Sequence, residues 1–427
     1  MITWIKKIFF EKTTRFSGIW LTGWFFFLLS SCSPPEEHYT VIVSLDGFRW
    51  DYPQIYNTPT LNLMKREGVS AIMTPSFPSA TYPNHYAMAT GLYPDHNGII
   101  NNVFWDKSDL CSYNMKDSTT RNNPRYYLGE PIWNTAKRQG LRTACLYWIG
   151  SDVPIKNSYP DYHLNWMERP HMPFEKRIEK VLSLLRMPSK QRPRLIMLYL
   201  EEPDDKGHHY GPYSKEVAQS VHYVDSLTGV LWKGIKQLPF GHKINFIVLS
   251  DHGMTEIKRD KIIYLDDYVK EEWIEKAAGH TPTSIYTHNH FRDSVYEALK
   301  KAPHLYVWKK EAIPSSLHYG ENPYIGDILA VPELGWRLSE TFRPYNLKGK
   351  KTIVDNLALK LKGEHGYFPW LKDMQVVFRA CGPDFKQNYQ AQKFENVNIY
   401  YLLCHLLNID ASPNDGNLKK IENMLAE

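Results

Sequence analysis

Cysteine is scarce in this chain, with five residues in a length of 427. A domain of this size buries enough apolar surface to fold without covalent cross-links, so a small disulfide-stapled scaffold is excluded. Cys145 and Cys404 lie inside apolar runs and are predicted to be small core residues. The sequence leaves open whether Cys111 forms a disulfide.

An extended block of Lys and Arg is also lacking beyond the first residues. The net charge of +5 is spread evenly along the chain, so the sequence shows no electrostatic footprint for a nucleic-acid partner. No internal repeat and no low-complexity segment occurs. The nucleophile motif of sulfatases, Cys/Ser-x-Pro-x-Arg, is absent, which argues against that class of enzyme.

The apolar run at residues 18–29 is shorter than the ~20 residues that a membrane-spanning helix needs. Basic residues precede it and Leu-Ser-Ser-Cys ends it, a pattern that predicts a signal peptide over residues 1–31. The ending resembles the bacterial lipobox, which implies a lipidated Cys32 and a tether through residue 37. We therefore expect an extracytoplasmic membrane lipoprotein, on the periplasmic face or the cell surface. An uncleaved anchor helix is the alternative, and it gives the same compartment.

Residues 38–427 have the pattern of one α/β domain. Strands are predicted from apolar runs at residues 39–45, 143–148, 195–200, 244–250 and 374–380. Helices are predicted at residues 58–66, 84–90, 130–139, 174–186, 214–235 and 396–407. Strands alternating with helices favour a doubly wound, mostly parallel sheet. Residues 270–350 break this rhythm and are interpreted as an inserted cap, and residues 103–128 as a long polar surface loop.

Side chains of the types that bind metals follow three of these strands. Asp46 follows the first strand, and Asp251 with His252 follows the most apolar one. In open α/β sheets the carboxyl ends of the strands converge on one crevice, so we expect one site. A carboxylate and an imidazole leaving a buried strand without partners would be costly, and a metal ion removes that cost. Asp46 alone has the weaker interpretation of an ordinary Asp-Gly turn.

Asp204 and His208 follow the strand at residues 195–200. Their four-residue spacing brings both to one ion if the segment forms a helical turn. His209 has the same chemistry at the wrong spacing and is predicted to lie on the surface or behind the ligands. His365, in a glycine-flanked loop, is the weakest candidate alone, because such a histidine is usually solvated.

Thr81 precedes a predicted helix. A hydroxyl there is most often a helix cap. The same position also offers free N–H groups and the positive end of a helix dipole, which favour a phosphate group. Cap and nucleophile are therefore the two hypotheses for this residue.

Taken together, the motifs are more specific than any one of them. They are, in order, VSLDGFRWDY, TYPNHYAMATGLYPDHNGII, GEPIWNTAKRQG, WIGSDV, EEPDDKGHHYGP, LSDHGM and EHGY. This order, from about residue 38 to about residue 420, resembles that of nucleotide pyrophosphatase/phosphodiesterases of the alkaline-phosphatase superfamily. The resemblance implies an alkaline-phosphatase-like fold and a site that holds two zinc ions.

The resemblance also implies a role for each site residue. One zinc ion would be bound by Asp204, His208 and His365. The other would be bound by Asp46, Asp251, His252 and the hydroxyl of the nucleophile Thr81. Asn102 matches the amide that donates to a phosphate oxygen. All these positions are filled, which argues against an inactivated copy.

Two aromatic positions depart from the pattern of the nucleotide-cleaving relatives. Tyr82 stands where those relatives usually have Phe, and Trp166, by an ungapped count from Trp148, stands where they have Tyr. Both remain aromatic, so a slot in which a base stacks is predicted between them.

The predicted function is zinc-dependent hydrolysis of nucleotide pyrophosphate and phosphodiester bonds to a nucleoside 5′-monophosphate through a covalent threonine intermediate. The same site acting on a phospholipid, in the manner of a phospholipase C, or on a phosphate monoester is the nearest alternative. A non-catalytic binding lipoprotein is the remote one, and it would be marked by a lost metal ligand. The sequence leaves open the base preference and the oligomeric state.

Overall fold

The structure, a computed structural model, describes residues 37–343 and 360–426. The predicted signal peptide, the lipidated Cys32 and the tether up to residue 36 lie outside the described residues, as do residues 344–350 of the predicted cap. Those assignments stay predictions. Within the two described ranges, no helix is both long enough and apolar enough to cross a membrane.

A nine-stranded sheet forms the centre of the domain. Its strands are β1 (Tyr39–Leu45), β2 (Val69–Thr74), β5 (Thr143–Leu146), β6 (Tyr162–Leu164), β7 (Leu195–Leu200), β8 (Ile244–Leu249), β17 (Val376–Cys381), β18 (Tyr389–Gln390) and β19 (Phe394–Glu395). Eight of them follow the order β18-β2-β17-β8-β1-β7-β5-β6, and β19 pairs with β2. All pairs are parallel except those of β17, which is antiparallel to both β2 and β8. The predicted mostly parallel α/β sheet is confirmed.

Helices cover both faces of this sheet. The helices of the described residues are α1 (Tyr52–Ile55), α2 (Pro59–Glu67), α3 (Thr81–Thr90), α4 (Pro94–Asn97), α5 (Ser118–Arg121), α6 (Ile132–Arg138), α7 (Phe174–Leu185), α8 (Asp204–Tyr210), α9 (Lys215–Lys236), α10 (Arg292–Leu299) and α11 (Asn398–Leu407). Successive strand residues alternate between two cores, as a pleated strand requires: Val41 and Val43 pack with α2, α7 and α9, and Ile42 packs with α3, α6 and α11. A central strand such as β1 is therefore buried on both faces.

The region predicted as an inserted cap contains a second sheet. Strands β11 (Ile274–Ala278), β12 (Thr283–Thr287), β14 (Ile328–Pro332) and β13 (Leu305–Lys309) pair in that order, all antiparallel. With α10, this sheet encloses a core of its own that includes Ile285, Val295 and Ile328. The remaining strands of the described residues form three two-stranded sheets: β3 (Val103–Asp106) with β4 (Cys111–Asn114), β9 (Thr255–Glu256) with β16 (Gly363–Glu364), and β10 (Ile262–Tyr264) with β15 (Arg337–Ser339).

The prediction of a polar surface loop at residues 103–128 is wrong. The segment forms the β3–β4 hairpin and α5, and it buries Phe104, Tyr113 and Tyr126 completely or nearly so. These aromatic side chains are spaced irregularly among polar residues, so no helical or strand period reveals them. The predicted core positions of Cys145 and Cys404 are confirmed, and the four cysteines of the described residues, including Cys111, are free.

Candidate active site

The topology places three acidic strand ends side by side. Strands β8, β1 and β7 are neighbours in the sheet, and they are followed by Asp251, by Asp46 and, four residues beyond β7, by Asp204. Gly47 makes the turn after Asp46 with φ +66°, and a Cβ there would lie 3.0 Å from the backbone of Asp204. This close approach lets the two acidic segments meet.

The first ligand group consists of Asp46, Asp251 and His252. Their ligand atoms lie within 4.8 Å of one another, and all three residues are buried. His252 Nε2 is 3.3 Å from Asp46 Oδ1 and 3.3 Å from Asp251 Oδ2. The structure therefore brings together the three protein residues that the sequence predicts to share one ion with Thr81.

The second predicted ligand set is Asp204, His208 and His365. In the structure, the ligand atoms of Asp204 and His365 group with those of His252, and the ligand atoms of His208 and His365 group with those of Glu364. His208 Nε2 lies 3.4 Å from Asp204 Oδ2, and His365 Nε2 lies 3.9 Å from Asp204 Oδ1. Asp204 begins α8, so the four-residue spacing to His208 is one helical turn, as predicted. His365 follows β16, which pairs with β9 just beyond Asp251 and His252, and this pairing explains its arrival at the site.

Each histidine of the two groups has one ring nitrogen fixed on a backbone carbonyl. The Nδ1 atoms of His208, His252 and His365 lie 3.0, 2.9 and 3.0 Å from the carbonyl oxygens of Gly363, Gly253 and Ser79. A carbonyl accepts, so Nδ1 carries the proton and Nε2 keeps its lone pair. This arrangement is typical of histidines that bind metals through Nε2.

One oxygen of each carboxylate lacks a hydrogen-bond partner. Within the described residues, Asp46 Oδ1, Asp204 Oδ1 and Asp251 Oδ2 are buried and accept no hydrogen bond. Burial, reinforced by Asp251 and Asp204, raises the pKa of Asp46 well above its ordinary value. Buried, clustered carboxylates beside imidazole nitrogens are costly without a cation. The residues present therefore fit one or more divalent ions, and a set of N and O ligands suits zinc.

Thr81 is the first residue of α3, and its hydroxyl does not cap that helix. Ala80 occupies the cap position and makes no side-chain hydrogen bond there. Thr81 Oγ1 instead lies 3.0 Å from His252 Nε2. The hydroxyl is thus directed at the first ligand group, as expected for a nucleophile and not for a cap.

Asn102 lies beside the start of the same helix. Its side-chain carbonyl accepts a hydrogen bond of 2.9 Å from the N–H of Tyr82. The amide NH₂ is then the group that remains to donate. Donation by Asn102 to a phosphate oxygen stays a prediction.

The two predicted stacking residues differ in their exposure. Trp166 is half-buried, and its ring centroid lies 5.4 Å from that of Tyr199. Tyr82 is 1 % exposed, and its hydroxyl accepts a hydrogen bond of 2.8 Å from Arg121. Neither face of the Tyr82 ring is exposed in this structure, so a base can stack on the ring only after the residues that cover it move. The base slot stays a prediction that depends on this movement.

Several residues at the site were not assigned a role from the sequence. The Tyr199 hydroxyl donates to Asp46 Oδ2. His85, fully buried, contacts Ser44 Oγ and the Thr81 carbonyl, and its Nδ1 lies 3.3 Å from Asp251 Oδ2. A hydroxyl-bearing residue in the otherwise apolar run of β7 is the only signal that pointed to Tyr199.

Glu364 and His209 complete the surroundings. Glu364 precedes His365, and its carboxylate lies close to the ligand atoms of His208 and His365. It also forms a buried ion pair of 2.8 Å with Arg337. His209 is half-exposed, and its Nδ1 contacts the carbonyl of Asp205. It lies outside the ligand groups, as its spacing predicts.

Comparison with known proteins gives the same class as the site. The family model "Type I phosphodiesterase / nucleotide pyrophosphatase" matches residues 40–368. Human ectonucleotide pyrophosphatase/phosphodiesterase family member 1 is 35% identical over 405 residues, which cover 90% of this chain and 42% of that protein. Human family member 5 is 34% identical, covering 92% of this chain and 79% of that protein.

Solved structures agree with the sequence relatives. Murine family member 5, as an inactive threonine-to-alanine variant in complex with AMP, superimposes with a TM-score of 0.83 at 34% identity, covering 91% of this chain and all of that one. A human family member 5 structure gives a TM-score of 0.82 at 33% identity.

The fold is of the alkaline-phosphatase-like class. The chain belongs to the type I phosphodiesterase/nucleotide pyrophosphatase family, and the resemblance inferred from its motifs is confirmed. It spans less than half the length of several of the curated relatives that it matches.

Proposed function

We propose that this protein hydrolyses pyrophosphate and phosphodiester bonds of nucleotides to a nucleoside 5′-monophosphate, with Thr81 as nucleophile and two zinc ions as cofactors. The observation that carries the proposal is the hydroxyl of Thr81, 3.0 Å from His252 Nε2 at the edge of a buried carboxylate and histidine cluster. The AMP in the structure of the murine relative supports a nucleotide substrate.

We assign the residues that would hold the ions from the predicted ligand sets, whose members the structure brings into one cluster. Asp204, His208 and His365 would bind one, and Asp46, Asp251, His252 and Thr81 the other. When bound, two divalent ions lower the pKa of a coordinated hydroxyl and offset the charge of phosphate oxygens. Tyr199, by its hydrogen bond to Asp46, keeps that carboxylate oriented.

The reaction then proceeds in two displacements at phosphorus. Thr81 Oγ forms a bond to phosphorus while the bond to the leaving oxygen breaks, which gives a covalent nucleotidyl-threonine. Water attacks the same phosphorus and releases the nucleoside 5′-monophosphate and Thr81. The Asn102 amide donates to a non-bridging oxygen, where negative charge increases in the transition state.

A substrate panel tests the proposal. ATP, a dinucleotide, a base-free diester, a phosphate monoester and a lysophospholipid are compared by kcat/KM, with product identity from chromatography. We expect the nucleotide substrates to be preferred and AMP to be the product from ATP. Preference for the lipid or the monoester would assign the site to the corresponding alternative, and no turnover at all would favour the binding lipoprotein.

We also propose that the domain acts outside the cytoplasm, attached to a membrane through Cys32. The leader pattern of residues 1–32 supports this. Fractionation of cells tests it: the wild type should sediment with membranes and carry acyl chains on Cys32 by mass spectrometry, and Cys32→Ala should lose both. Equal sedimentation of Cys32→Ala would contradict the lipid anchor.

A further inference from the structure

Arg121 is a fully buried arginine in the segment that the sequence predicts to be a surface loop. Its exposure is 0%, and it is the last residue of the short helix α5. A buried guanidinium is costly unless its donors are paired. The groups that pair with it therefore indicate what it holds in place.

The partners of Arg121 belong to both sides of the predicted base slot. Its Nε donates to the Tyr82 hydroxyl at 2.8 Å, and Nη2 donates to both carboxylate oxygens of Asp152 at 2.8 and 2.7 Å. Asp152 Oδ2 in turn accepts from the N–H of Trp166 at 2.9 Å. One buried ion pair thus joins the residue after the nucleophile to the backbone of the other aromatic residue.

Tyr82 is held at both of its ends. Its N–H donates to Asn102 Oδ1, and its hydroxyl accepts from Arg121. Burial raises the pKa of Tyr82 to about 12, so the hydroxyl stays neutral at physiological pH. A phenylalanine at this position would lack the acceptor for Arg121 Nε, so this hydrogen bond depends on the hydroxyl, although the guanidinium also lies over the ring at 5.9 Å from its centroid.

We propose that Arg121 is a positioning residue for nucleoside recognition, which fixes Tyr82 directly and the backbone of Trp166 through Asp152. The proposal rests on the proposed nucleotide substrate. Arg121 acts through Tyr82 and Asp152; its third partner, the neighbouring Asn122, accepts from Nη1 at 2.7 Å. Its loss should therefore affect substrates that carry a base more than substrates without one.

Steady-state kinetics of three variants tests this role. Tyr82→Phe, Arg121→Met and the double variant are assayed on the p-nitrophenyl ester of thymidine 5′-monophosphate and on bis(p-nitrophenyl) phosphate. We expect each single variant to lower the ratio of the two kcat/KM values at least about fivefold, the effect of one lost hydrogen bond, mainly through KM. Because both changes break the same contact, the double variant should lose little beyond Arg121→Met.

A purely structural role would give a different pattern. Arg121→Met leaves Asp152 buried without its partner, so melting temperatures are measured for every variant, and Arg121→Met/Asp152→Asn removes the uncompensated charge. Arg343→Met is the matched control, since it breaks a largely buried ion pair with Asp266, together with a more exposed one with Asp267, away from the ligand groups. If the Arg121 variants do not fold, Tyr82→Phe decides the question, because it deletes only the hydroxyl.

A binding measurement separates this inference from the proposed reaction. Calorimetry of wild type and Tyr82→Phe with AMP and with ribose 5-phosphate reports base recognition without turnover. A weaker AMP affinity with unchanged ribose 5-phosphate affinity supports the inference. Equal effects on both ligands, or on both kinetic substrates, would overturn it, even if the wild type hydrolyses nucleotides. Absence of nucleotide hydrolysis in the wild type would reject the proposed function instead, and the ratio of affinities would still decide the role of Arg121.

Discussion

The imidazole rings of His252 and His365 stack, with centroids 3.7 Å apart and planes 19° apart. The two residues belong to different predicted ligand sets, but their ligand atoms also group with those of Asp204, so the two sets form one continuous cluster. Burial, together with His252 and His208, holds the pKa of His365 well below its ordinary value. A neutral His365 can lie against its neighbour without charge repulsion and can offer Nε2 as a ligand. One continuous cluster of ligand atoms supports the proposed two-ion site.

Loss of metal should abolish activity. We expect a chelator to remove turnover, Zn²⁺ to restore it, and elemental analysis to find two ions per chain. His365→Ala should lower both occupancy and kcat/KM, the latter by more than about 100-fold, because a ligand is lost from a buried centre. The matched control is His209→Ala, which removes a half-exposed histidine on the same helix as His208 and should change neither quantity. Full activity with fewer than two ions would contradict the two-ion proposal.

The hydrogen bond from Tyr199 to Asp46 should matter although Tyr199 binds no ion. Tyr199→Phe removes the donor that orients Asp46, and losses behind a metal ligand are typically about 10-fold or more in metal affinity or activity. A zinc titration followed by activity measures the change. Tyr86→Phe is the control, because its equally buried hydroxyl donates to the carbonyl of Leu128, outside the ligand groups. Equal effects of the two substitutions would show that only packing is affected.

Asn102 can be tested with two substitutions that separate its functions. Asn102→Ala removes the acceptor for the Tyr82 N–H and the amide donor, whereas Asn102→Asp keeps an acceptor and loses the donor. If donation to the phosphate oxygen is the role, both should lower kcat by about 100-fold. Near-normal kcat in Asn102→Asp would show that Asn102 only fixes the start of α3.

Trp166 is expected to contribute to affinity for the base. Stacking of a base on an aromatic ring is worth ~1–3 kcal/mol, so Trp166→Ala should lower kcat/KM for ATP by roughly tenfold or more. A diester without a base serves as the internal reference. Equal losses on both substrates would mean that Trp166 packs beside the site without stacking on the base.

The sequence predicted the parts of the site that depend on strand ends. Asp46, Asp251 and His252 directly follow apolar runs, so the convergence of parallel strands was enough to group them. Asp204 and His208 needed only the spacing of one helical turn. His365 is placed at the site by the short pairing of β16 with β9, which no local sequence pattern predicts. Only the family motif identified His365 as a ligand.

The sequence could not predict contacts made by isolated polar side chains in irregular segments. Arg121 lies among polar residues with no period, and its burial arises from Tyr82 and Asp152, which are distant in the chain. Likewise, the sequence predicted that Tyr82 forms one side of a base slot. The burial of its ring results from tertiary contacts, which the sequence pattern does not reveal.

The central claim is that Thr81 becomes covalently attached to the nucleotide. Rapid quenching during turnover of ATP labelled at the α-phosphate, followed by peptide mapping, tests it most directly, with γ-labelled ATP and Thr81→Ala as controls. The account predicts that the peptide containing Thr81 carries label from the α-phosphate and none from the γ-phosphate. Thr81→Ala should carry no label, and it should retain its metal ions but lose turnover. Substantial turnover in Thr81→Ala, or label that arises from the γ-phosphate, would contradict it.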